Sequence, residues 1–215
     1  MLVKLALALA LGLLAVGTIQ YLLGTLERSN TDGAGPLPPR GTVLVVALVV
    51  AAVLGLVMPQ SMGPLPVIRS CWVAAMGVIA VVDLRARYIL DACTVPFAVL
   101  ALLSAAILEH PTVGEALSGG LVGLVAFALV YGASWLLARR EALGLGDVKL
   151  AALLGLWLGV AYVPTALAAG IVLAGAAALA LLATRRGRLR GHSLAYGPWL
   201  CLGGYLALLQ LSGRP

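Results

Sequence analysis

Residues 144–160 read GLGDVKLAALLGLWLGV, and Asp147 and Lys149 stand at the entrance to an otherwise apolar run. The run has no polar alternation, so it reads as helix rather than strand. A lipid-embedded chain keeps a carboxylate at such a place at a cost. At full depth an acidic side chain costs on the order of 2.5–3.5 kcal/mol, and less near the interface. The fold therefore turns on what surrounds this stretch, and the function turns on whether Asp147 has a partner.

The surroundings are apolar. Of 215 residues, 62% are hydrophobic and 10% charged, against about 25% charged in an ordinary soluble domain. Mean hydropathy is +1.10. Outer-membrane strands would alternate polar and apolar over roughly ten residues, and the unbroken runs here do not. The sequence predicts an all-α polytopic membrane protein. About eight apolar runs qualify as spans: 2–25, 42–58, 66–83, 94–109, 117–138, 148–161, 163–183 and 195–212. The whole chain, 1–215, reads as one transmembrane domain. The sixth run is short, and with the seventh, across AYVP, it suggests a tight helical hairpin with Pro164 in the first turn of the seventh helix. Lys4 followed by an apolar run also resembles a signal peptide. That run continues to about Leu26, longer than a signal core, and reads as a true span.

Basic residues set the orientation. With eight spans, Arg28, Arg40, Arg85, Arg87, Arg139, Arg140, Lys149 and the cluster Arg185, Arg186, Arg188 and Arg190 fall on one side; Lys4, Arg69 and Arg214 fall on the other. The basic side is expected to be cytoplasmic, which places both termini outside. The net charge of +6 is then an orientation signal that also suits anionic lipid. No basic stretch is interleaved with aromatics, so no nucleic-acid partner is indicated.

Six of the eight acidic residues fall in linkers on this map, and two are tied to helix ends. Asp83 closes the third span in GVIAVVDLRARYI, and Asp147 opens the sixth. The topology puts both at the cytoplasmic edge. For Asp83 the bland reading is an ion pair with Arg85 or Arg87. For Asp147 it is an N-cap on its helix or a pair with Lys149. The functional reading is a dyad. Two close carboxylates share a proton, so one serves as base on a water while the other donates to a peptide carbonyl. The pair titrates as a unit. Gly144 and Gly146 fit a place where a substrate backbone must come close. A second class of function is open: intramembrane carboxylates also mark proton relays, so the chain could be a small multi-pass transporter or a non-catalytic assembly factor. Transporter sites usually lie near the midplane between related halves, and this sequence shows no internal repeat.

Three segments together resemble the type IV prepilin peptidases, intramembrane aspartic proteases with G-x-G-D motifs. GLGDVKL is similar to their G-x-G-D-x-K-L signature. VVDLRARYILDACTVP resembles the stretch around their first aspartate. LAYGPWLCLGGYLAL resembles their late P-F-G-P segment. The order matches, over roughly 66–212. The resemblance implies that Asp83 and Asp147 are catalytic, that Gly144 and Gly146 shape the loop at the site, and that Lys149 lies close to substrate. Gly197 and Pro198 match the late segment, with packing or substrate docking as the implied role. The implied activity is cleavage of a leader peptide after a glycine, at the cytoplasmic face of a bacterial inner membrane. The substrates would be precursors of type IV pili, tight-adherence pili or pseudopilins of type II secretion. Leu90 and Asp91 depart from the family's Pro and Asn. Longer members carry a cysteine-rich, zinc-associated domain after the first span, connected with N-methylation. Here residues 26–41, ERSNTDGAGPLPPRGT, form a short Gly/Pro-rich loop without cysteine. No metal or other cofactor is expected, and the resemblance gives no support for methyl transfer.

The remaining features have bland readings. His110 and His192 fall in linkers on opposite sides. Cys71, Cys93 and Cys201 form no C-x-x-C pair. Gly170, Ala174 and Ala178 have small-xxx-small spacing, which is helix packing.

Overall fold

The computed structural model describes residues 65–86, 89, 91–107, 111–138, 143–184 and 195–212. The first two expected spans, the 26–41 loop and both histidines lie outside them. Among the described residues there are six helices and no strand: α1 Leu65–Ala86, α2 Asp91–Ile107, α3 Val113–Ala138, α4 Leu145–Leu158, α5 Val163–Thr184 and α6 Gly197–Ser212. Each corresponds to one of the last six apolar runs, within a few residues. Asp91 and Glu115, expected in linkers, instead lie in the first turns of α2 and α3.

The chain divides into two compact units, Met1–Val81 and Val82–Pro215. Helix α1 begins in the first and ends in the second. In the first unit the buried residues Trp72, Met76 and Ile79 of α1 recur at helical spacing. Helices α2–α6 and Asp83 belong to the second unit.

Helix α3 and helix α5 are long and apolar enough to cross a membrane, over Val113–Leu136 and Val163–Ala183. Only 28% and 22% of their most apolar stretches are buried within the protein. Leu129, Leu136, Val172 and Leu179 point outward. A helix with so much outward leucine and valine fits lipid, not water. This is an all-α membrane protein.

Helix α4 differs from its neighbours. Val148, Leu150, Ala151, Leu153, Leu154, Gly155, Trp157 and Leu158 are buried, and α2, α3, α5 and α6 all pack on it. A helix apolar on every side belongs in a core. With 14 residues it is about 21 Å long at 1.5 Å per residue, short of a hydrocarbon layer of about 30 Å. The sixth apolar run is thus an internal helix rather than an ordinary lipid-facing span. It ends at Gly159, whose φ of 74° suits a residue without Cβ. Residues 159–162 then lead into α5, where Pro164 sits in the first turn as expected.

Lipid gives helices no hydrophobic drive to associate, so close van der Waals packing must do it. Glycines supply the closeness. A Cβ on Gly119 would lie 2.5 Å from the Gly155 carbonyl oxygen and 2.6 Å from the Gly159 carbonyl carbon. Gly123 meets the backbone of Ala151 in the same way. These contacts join α3 to α4 backbone to backbone. Gly203 meets Ala166 and Gly170, and Gly170 meets Leu200, joining α5 to α6. Helix α3 is started by a capping box. The Thr112 amide donates to Glu115 Oε2 at 2.8 Å, and the Glu115 amide donates to Thr112 Oγ1 at 3.3 Å.

Candidate active site

Asp147 is the third residue of α4, not its N-cap. Gly144 takes the cap position with an extended backbone, φ −80° and ψ 148°. The Gly144 amide donates to Asp147 Oδ2 at 3.3 Å, and the Asp147 amide donates to the Gly144 carbonyl at 3.1 Å. Glycine has no side chain to return the bond, so this is half of a capping box. The carboxylate sits where the helix dipole favours negative charge. It is also left open on one side, because a Cβ at Gly144 would lie 3.5 Å from Asp147 Oδ2. Gly146 has a different reason. A Cβ there would lie 3.0 Å from Ile89 Cβ, and Ile89 is buried. Lys149 is exposed two residues beyond Asp147.

Asp83 is buried, with 5% of its surface exposed. Its carboxylate accepts a hydrogen bond from the Gly197 amide, 2.9 Å to Oδ2. The Tyr196 carbonyl accepts from Trp199 and Leu200, so Tyr196 is the N-cap of α6 and Gly197 its first residue. The amides of a helix's first turn have no partner within the helix. Pro198 has none to offer, and Asp83 takes the one on Gly197. The approach leaves no room for a side chain, since a Cβ at residue 197 would lie 2.7 Å from Asp83 Oδ2.

The two carboxylates lie within electrostatic reach of each other, and the charge of Asp83 acts on Asp147. The charge of Asp147 also acts on the Tyr196 phenol. Both charges act on the buried Cys201 thiol, one turn into α6. Three elements therefore meet: the end of α1, the start of α4 and the start of α6. Phe97 of α2 braces α4 through an edge-on contact with Trp157, ring centroids 6.3 Å apart.

The sequence reading names Asp83, Asp147, Gly144 and Gly146 as site residues. It gave Gly197 to packing or docking and passed over Ile89, Tyr196 and Cys201. The AYGP stretch around Gly197 resembles the family's P-F-G-P segment, but a backbone amide leaves no side-chain signature. Among the described residues no group of three or more His, Cys, Asp or Glu side chains is arranged to hold a metal ion.

Residues 70–179, half of the chain, match the type IV leader peptidase family, and the chain belongs to that family. It is 32% identical over 173 residues to the "Prepilin leader peptidase/N-methyltransferase" of Escherichia coli (strain K12), covering 78% of this chain and 74% of that protein. It is 34% identical over 151 residues to the "Type 4 prepilin-like proteins leader peptide-processing enzyme" of Escherichia coli O78:H11, covering 69% and 53%. A third relative, from Dickeya chrysanthemi and named as the first, is 35% identical over 134 residues, covering 61% and 46%. The chain thus matches about half the length of the second and third. No solved structure matches it.

Proposed function

We propose that the protein is an intramembrane aspartic endopeptidase that removes the leader of type IV prepilin-like precursors. The observation that carries this reading is the Asp83–Asp147 pair, two carboxylates from different helices, with the charge of Asp83 felt at Asp147. Like charges in mutual reach favour one proton held between them. The ionised member draws a proton from water, and the resulting hydroxide attacks the scissile carbonyl carbon. The protonated member donates to the carbonyl oxygen. As the intermediate collapses, the carbon–nitrogen bond breaks and the departing amine takes a proton from the pair. Gly144 keeps the approach to Asp147 clear. Lys149 is exposed two residues beyond Asp147, and on this reading it is a candidate for contact with the leader.

The excess of arginine that the sequence assigns to one face supports a reading in which this chemistry takes place at the cytoplasmic edge of a bacterial inner membrane. A prepilin-type substrate, with a short basic leader before an apolar helix, would lie in the same membrane and present its scissile bond at that edge. The test is co-expression with a panel of such precursors, reading product N-termini by mass spectrometry. Cleavage after the leader glycine is the expected result. An uncut panel, together with proton-coupled solute uptake by the purified protein, would favour the transporter reading instead.

A further inference from the structure

We infer that Gly197 is a positioning residue for the reaction: its amide, the first of α6, holds the Asp83 carboxylate in its working orientation. This rests on the aspartic-protease reading above. Three observations support it. The bond is short and buried, 2.9 Å between the Gly197 nitrogen and Asp83 Oδ2. Residue 197 admits no side chain, because a Cβ would press on Asp83 at Oδ2, Cγ and Cβ at 2.7, 3.0 and 3.2 Å. Its neighbours on α6 feel the pair as well: Tyr196, the preceding residue, senses Asp147, and Cys201, one turn further on, senses both aspartates.

The two carboxylates are held unequally. Asp147 takes its amide from Gly144, three residues away on its own helix start, at 3.3 Å and exposed. Asp83 takes its amide from 114 residues along the chain, in a buried place. Asp147 is thus oriented locally wherever α4 starts, whereas Asp83 is oriented only when α6 is docked. A buried charge-assisted bond of this kind is stronger than an exposed neutral one. Proper placing of a reacting group matters steeply, and a misplacement of about 1 Å can cost about 100-fold in rate. The bland alternative is that Asp83 merely caps α6. That role would stabilise the fold and leave the chemistry alone.

The experiment has two parts, both on the full chain in nanodiscs. The sequence contains only two Tyr-Gly pairs, Tyr131–Gly132 and Tyr196–Gly197. Labelling with carbonyl-13C tyrosine and 15N glycine therefore yields two filtered amide signals. Gly132 has open space around it and serves as the internal reference. The Gly197 amide proton is expected downfield of Gly132, moving with pH in wild type and losing that movement in Asp83→Ala. Cleavage of a prepilin-type precursor is then measured in wild type, Gly197→Ala and Gly132→Ala. Gly197→Ala is expected to lower kcat about 100-fold with KM within about twofold, and to displace the pH profile. Gly132→Ala should match wild type. Should Gly197→Ala not accumulate, the Gly197 signal in wild type must titrate with one of the two midpoints of the cleavage rate. A folded Gly197→Ala with normal kcat and pH profile overturns the inference, as does a Gly197 signal that ignores pH or matches neither midpoint. A cleaving wild type with a silent Gly197 amide sinks this inference alone. A wild type that cleaves nothing while the amide tracks Asp83 sinks the protease reading, and the catalytic role with it.

Discussion

Ile89 occupies the space that a side chain on residue 146 would need: a Cβ added to Gly146 would lie 3.0 Å from Ile89 Cβ and 3.3 Å from Cγ1. Ile89 follows the helix that carries Asp83, and Gly146 precedes Asp147. The contact ties the chain just beyond one aspartate to the turn that carries the other. The glycine therefore has a reason within the protein's own packing, beside any need of a substrate. Gly146→Ala should cost about 1–3 kcal/mol by overpacking. Ile89→Ala in the same chain should relieve part of it, giving a coupling of about 0.5–3 kcal/mol in a double-mutant cycle. Strictly additive effects on thermal unfolding would contradict the contact.

Glycines at backbone crossings should be sharply distinguishable from glycines in the open. Gly155 faces the backbone of Gly119 and Gly120, which cannot rotate away as a side chain can. Gly155→Ala is expected to destabilise by about 1–3 kcal/mol or more. Gly132 and Gly175 have nothing within 4 Å, so alanine there should be neutral or stabilising by up to about 1 kcal/mol. Melting temperatures in one detergent, measured side by side, decide it. Equal losses at Gly155 and Gly132 would show that α3 and α4 do not cross as described.

The capping box at the start of α3 should matter for stability and not for chemistry. Thr112→Ala should cost about 1 kcal/mol, and Glu115→Gln, which keeps an acceptor for the Thr112 amide, should cost less. Prepilin cleavage at saturating substrate should be unchanged in both. A drop in kcat without a drop in stability would place this end of α3 in the reaction.

A shared proton gives the cleavage rate two limits. At low pH both aspartates are protonated and no base remains; at high pH both are ionised and no acid remains. The plot of kcat against pH should therefore rise and then fall, with two apparent midpoints that belong to the pair. A single sigmoid across the accessible range would argue for one working carboxylate.

Much of this was legible because lipid imposes a simple grammar. Six apolar runs became six helices, since a chain without water must satisfy its own backbone. Asp83 and Asp147 stood out because the span map ties only these two carboxylates to helix ends, although the structure adds Asp91 and Glu115 in the first turns of α2 and α3. Other features were hidden for definite reasons. Asp147 looked like an N-cap, yet Gly144 holds the cap and Asp147 reaches back to it; the sequence offers both registers. Helix α4 looked like a span because burial by neighbours and burial by lipid select the same leucines. Thr112 and Glu115 had the spacing of a capping box inside a stretch that read as an acidic linker. The partner of Asp83 was beyond reach, because a backbone amide 114 residues away has no identity in a sequence.

The central claim is that Asp83 and Asp147 act together on a peptide bond. The most direct measurement is cleavage of one prepilin-type precursor by wild type, Asp83→Asn and Asp147→Asn at matched abundance in membranes, with the product N-terminus read by mass spectrometry. The account predicts a cut after the leader glycine by wild type and a loss of at least about 100-fold in each variant. Variants that cut at the wild-type rate would make both aspartates structural and contradict the mechanism.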